Sequence, residues 1–85
     1  MKIEDLRREI DEIDAMVVKL IAKRVRIAQE MYKEKSEMGI QVIDKVREEN
    51  VLGNVKNVAL KENISQESIE SIYREIIMAC REVQG

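Results

Sequence analysis

Histidine, proline, tryptophan and phenylalanine are absent from this sequence, and cysteine occurs once, at Cys80. Without histidine and with a single thiol, neither a Cys/His zinc site nor an internal disulfide can be assembled. Cys80 also lacks the base that usually activates a thiol nucleophile, so it reads first as a small buried hydrophobe. The only aromatics are Tyr32 and Tyr73, and the net charge is -2 with both signs interspersed. That balance lacks the basic excess and stacking surfaces of nucleic-acid binding, so no nucleic-acid partner is expected. No apolar run is long enough to span a membrane, and the opening MKIEDLRREI is too charged for a signal peptide. Together with the lone thiol this predicts a cytoplasmic protein with no membrane association.

A chain of 85 residues is expected to form a single domain, 1–85, whose core is barely large enough to support itself. With metal and disulfides set aside, help is expected from a partner subunit.

The absence of proline leaves punctuation to Gly39 and to the polar run Lys61-Glu62-Asn63 before Ser65. An all-α chain of one long and two shorter helices follows. The first is expected from about Ile3 to Glu37, stopped by Gly39 in the left-handed conformation. Asp44 is the expected N-cap of a second helix reaching about Lys61, weakened in its middle by Gly53. Ser65 is the expected N-cap of the third, with Glu67 in the positive first turn and Ile64 placed to pack on Ile69.

Positions 3, 6, 10, 13, 17, 20, 24, 27 and 31 of the first helix read Ile, Leu, Ile, Ile, Val, Leu, Arg, Ile, Met, an apolar seam with one arginine set into it. A helix about 50 Å long cannot be covered by the rest of a globule whose radius of gyration is about 12 Å. Pairing of two first helices across a two-fold axis covers the seam, giving an intertwined homodimer.

Several charged or polar residues sit against these apolar stripes. Arg24, inside the seam, calls for an anion, either an acid that sets the register of the dimer or a bound ligand. Lys35 lies three helical turns further on nearly the same face, about 16 Å along the axis. By itself it also reads as a solvated surface lysine, and Arg7, beside Arg8 and the acids Asp5 and Glu9, as part of a charged surface turn. Asp44, Arg47 and Glu48 fall within one turn next to the inward series Val51, Leu52, Val55 and Ala59, where a cap with a local ion pair is the plain alternative. In the third helix Ile69, Ile72, Tyr73, Ile76 and Ile77 lead to Cys80 and Gln84 on one face. The set contains no nucleophile–base pair, which favours binding and electrostatics over covalent chemistry.

The segments LRREIDEID (6–14), KLIAKR (19–24), the lysine at 35 in YKEK, IDKVREEN (43–50) and IIMACREVQ (76–84) together resemble the all-helical chorismate mutases over nearly the whole chain. The resemblance implies a cofactor-free [3,3] rearrangement of chorismate to prephenate, on the route to phenylalanine and tyrosine. It implies that Arg24 and the Arg7 of a second subunit bind the two carboxylates of the substrate, and that Lys35 contacts a carboxylate and the ether oxygen. Gln84 is implied as the second donor to that oxygen, and Glu48, with backbone near Asp44, as the hydroxyl-binding element. Arg47 is implied as the cation that closes the pocket. Cys80 stands where the family often carries serine or another small polar residue near a carboxylate, a departure that affects that contact. Arg7 lies 28 residues before Lys35, about 42 Å along a continuous helix, so both can serve one substrate only if Arg7 comes from the other chain of an antiparallel pair. Isochorismate pyruvate lyase resembles the same scaffold and is the alternative enzyme; a non-catalytic helical dimerisation module is the alternative from another class.

Overall fold

The computed structural model describes residues 2–82. Three helices carry the described chain: α1 (Lys2–Glu37), α2 (Lys45–Lys61) and α3 (Gln66–Glu82). Their ends follow local chemistry. Gly39 takes a φ of 73°, and the amides of Gly39 and Ile40 donate to the carbonyls of Ser36 and Lys35 at 3.1 and 3.0 Å, closing α1 with a Schellman turn. Asn63, at φ 58°, ends α2 the same way: its amide donates to Leu60 and that of Ile64 donates to Ala59. The Asp44 carboxylate caps α2 by accepting from the Arg47 amide at 3.0 Å. The Ser65 hydroxyl caps α3 by accepting from the Ser68 amide at 3.2 Å.

Helices α2 and α3 pack as an antiparallel hairpin, and α3 in turn leans on α1. The small core consists of Leu52 and Ala59 from α2, Ile77 and Cys80 from α3, and Ala28 from α1. Burial on α1 begins at Ile21, and residues 2–20 are exposed throughout. The molecule is therefore elongated, 57 × 23 × 16 Å with a radius of gyration of 15.9 Å, well above the about 12 Å of a compact chain of this size. Eight seam residues of α1 (Ile3, Leu6, Ile10, Ile13, Val17, Leu20, Ile27 and Met31) stand between 44 and 64 % exposed, a continuous apolar stripe of the kind that marks an association surface. Among the described residues, no helix is long and apolar enough to cross a membrane.

Candidate active site

Where α1 leaves its bare half and meets the hairpin, a cleft of about 250 Å³ opens between the three helices. Arg24, Ala28 and Tyr32 project into it from α1, Arg47, Glu48 and Val51 from α2, and Ile77 from α3. The helical period accounts for the α1 set, since positions 24, 28 and 32 each lie one turn apart on the face turned toward the hairpin.

Arg24 is half-buried. Its guanidinium donates to the Cys80 sulfur at 3.1 Å and its centre lies 5.9 Å from the Tyr73 ring centroid, a soft wall that holds the cation without neutralising it. The ion pairs among the described residues are Arg7–Glu4, Arg8–Asp5, Lys56–Glu70, Arg74–Glu70 and Arg81–Glu48. Arg24, Arg47 and Lys35 take part in none of them. Lys35 sits one turn past Met31, and its ammonium donates to the Val42 carbonyl at 3.3 Å, which ties the loop after α1 to the end of the cleft.

The one carboxylate lining the cleft is already engaged. Arg81 grips both oxygens of Glu48, donating through Nε to Oε2 at 3.0 Å and through its terminal nitrogen to Oε1. That carboxylate holds the Arg81 guanidinium above its already high ordinary pKa. Burial pushes the Tyr32 phenol above its ordinary value of 10.0; Cys80 and Glu48 act in the same direction, and Arg24 and Arg81 oppose them. Tyr32 is therefore a neutral hydroxyl at physiological pH, able to donate or accept.

Of the residues singled out in the sequence, Arg24, Arg47 and Glu48 line one cleft. Cys80 lies directly behind Arg24, Lys35 stands at the loop end, and Asp44 is occupied in capping α2. Arg7 is remote from this cleft. It lies about 25 Å from Arg24 along the axis, in an exposed turn where it pairs with Glu4 at 2.8 Å. Gln84 lies outside the described residues. Tyr32 and Arg81 were not anticipated. Arg81 stands four residues, one helical turn, after the buried Ile77, and that spacing is the signal that places it on the inward face.

An all-helical scaffold that turns Arg24 and Arg47, which have no carboxylate partner among the described residues, toward a small half-open cleft has the class of site suited to small anions. The comparisons sharpen that class. Residues 6–85 match the family described as chorismate mutase type II. The chain is similar to the chorismate mutase of Methanocaldococcus jannaschii, with 29 % identity over 89 % of this chain and 77 % of that protein. It is also similar to the bifunctional chorismate mutase/prephenate dehydratase of Aquifex aeolicus, at 36 % identity over 93 % of this chain, and to the T-protein of Haemophilus influenzae, at 33 % identity over 85 %. It spans only 23 % and 19 % of those two longer relatives. Among solved structures it is similar to form II of chorismate mutase from Thermus thermophilus, with a TM-score of 0.87, 28 % identity, and coverage of 99 % of this chain and 94 % of that one. The chain belongs to the chorismate mutase type II family.

Proposed function

We propose that residues 1–85 form a single cytoplasmic chorismate mutase domain that rearranges chorismate to prephenate as a homodimer. The observation that carries this reading is the half-buried Arg24, which meets a sulfur and an aromatic ring and has no carboxylate partner among the described residues. A half-buried cation so placed is favoured when a ligand supplies the negative charge.

In the rearrangement the ether C–O bond breaks as a new C–C bond forms, and no proton, hydride or leaving group passes to the protein. The site has two tasks: to hold a flexible dianion folded so that the reacting carbons meet, and to stabilise negative charge building on the ether oxygen. Arg24, and Arg7 of the second subunit, take the carboxylates. Lys35 and Gln84 donate to the ether oxygen, Glu48 accepts from the ring hydroxyl beside the Asp44 backbone, and Arg47 closes the cleft. A 10⁶-fold acceleration requires about 8 kcal/mol, and a single preorganised donor contributes about 3 to 4 kcal/mol, so two donors at the ether oxygen with positioning suffice.

The dimer reading is supported by the bare half of α1. The cleft, at about 250 Å³, is smaller than the range of about 300–1,000 Å³ usual for small-molecule sites. Exposed Ile27 and Met31 stand on its rim, where a second α1 laid antiparallel supplies the missing wall and brings Arg7.

Incubation with chorismate, followed by detection of prephenate, tests the proposal. Release of pyruvate from isochorismate with no prephenate from chorismate assigns the lyase activity instead. Inactivity on both, with no rise in melting temperature on adding a small dicarboxylate, leaves a dimerisation module.

A further inference from the structure

We infer that Arg81 is a positioning residue for Glu48: it grips the carboxylate from behind the substrate cleft, aims it at the substrate hydroxyl and keeps it off the substrate-binding cations. The inference rests on the mutase reading and extends it to a residue outside the cleft.

Glu48 lies on the partition between two clefts. On one side is the substrate cleft. On the other is a second cleft of about 260 Å³ bounded by Lys45, Leu52, Met78 and Arg81. Arg81 lines the second cleft and not the first, so it reaches Glu48 from the far side, and its hydrogen bonds to a residue lining the substrate cleft go to Glu48. Arg81 and Glu48 come from different helices and retain just 22 % and 19 % of their side-chain exposure. Their pairing is two-pronged, the geometry that fixes a carboxylate plane as well as neutralising it.

Two electrostatic problems call for such a partner. A carboxylate beside a bound dianion repels it, and a carboxylate sharing a cleft with Arg24 and Arg47 is drawn to pair with them, blocking the substrate. A guanidinium behind Glu48 offsets the first and competes with the second. Both oxygens keep further acceptor capacity, since a carboxylate has about four lone-pair sites, and the side turned to the cleft remains open to a hydroxyl.

The test is a kinetic cycle of wild type, Arg81→Met, Glu48→Gln and the double variant, with melting curves for each. Arg81→Met is expected to raise KM for chorismate about tenfold with kcat changed less than about threefold, because the contact acts on bound substrate and transition state alike. Arg81→Lys, with one charged donor in place of a fork, recovers part of the loss. The double variant is expected to be no worse than Glu48→Gln, because an amide needs no counter-ion and effects routed through one group do not multiply. A lowered melting temperature with KM unchanged overturns the inference, as do single-variant losses that multiply in the double variant. If Arg81→Met fails to fold, Arg81→Lys with and without Glu48→Gln completes the cycle under the same criteria. Wild-type protein inactive on chorismate sinks the mutase reading and this inference together. Active wild type with Arg81→Met at wild-type kcat/KM sinks only the role of Arg81.

Discussion

The guanidinium of Arg24 donates to the sulfur of Cys80 at 3.1 Å, joining α1 to α3 across 56 positions of sequence. Cys80 is 1 % exposed, so the acceptor cannot be replaced by water without opening the core. Replacement of Cys80 by alanine is expected to destabilise the protein by about 1 to 3 kcal/mol, through the lost partner of a charged donor. Cys80→Ser retains an acceptor of similar size and is expected to keep the unfolding midpoint near that of wild type. Urea denaturation of the two variants side by side checks both.

Lys35 donates to the Val42 carbonyl and to nothing in the core, so its removal can be separated from folding. Lys35→Ala is expected to lower kcat/KM on the order of 10²- to 10³-fold, the usual effect of deleting a preorganised donor to a developing oxyanion, with an unchanged helical dichroism spectrum. Co-refolding that inactive variant with inactive Arg7→Ala is expected to restore about a quarter of wild-type activity, because half the dimers are mixed and each holds one intact site. Mixed dimers with no activity would falsify the sharing of the site.

Glu70 on α3 bridges Lys56 and Arg74 at 2.9 Å each. Hydrogen bonds from Lys56 and then Arg74 hold its carboxyl below the ordinary value of 4.5. A depressed carboxylate pKa contributes stability that is complete above the unfolded value and disappears as pH falls through the folded one. Glu70→Gln is therefore expected to melt at a lower temperature than wild type at pH 7. The gap should persist down to about pH 4.5, close on further acidification, and shrink in high salt because the cluster is partly exposed. A gap that stays constant from neutral to strongly acidic pH rules out this bridge as its source.

Gly53 occupies the middle of α2, and a Cβ added there meets no atom within 4 Å. Gly53→Ala is expected to stabilise the protein by about 0.5 to 1 kcal/mol by lowering the entropy of the unfolded chain, visible as a higher urea midpoint with the same m-value and unchanged kinetics.

Helix ends were the most readable part of the sequence, because Gly39, Asp44 and Ser65 each act through their own backbone neighbourhood, and the bounds of α1 and α2 and the start of α3 fall within a residue of expectation. The seam of α1 was readable for the same reason, since a three-four spacing needs no knowledge of the partner. The pairing of Arg81 with Glu48 was not. It joins residues 33 positions apart, and along the sequence Arg81 looks like an ordinary cation in a last helical turn. Nor did the spacing reveal that Arg24 would rest on Cys80 and Tyr73, a matter of how α3 is rolled against α1. The convergence of Arg24, Arg47 and Glu48 became legible only through the family resemblance, because Arg24 alone also reads as a register-setting ion pair across the dimer, and Arg47 and Glu48 as a local pair beside a helix cap.

The bare first half of α1 also has a kinetic consequence. With no proline to isomerise and no disulfide to form, individual helices arise within about a microsecond, and nothing inside one chain is slow. If the exposed stripe is buried only when two chains meet, the last step of refolding is second order. Diluting the refolding chain tenfold should then lengthen the recovery of activity in proportion, while far-ultraviolet dichroism returns early and at a rate indifferent to dilution.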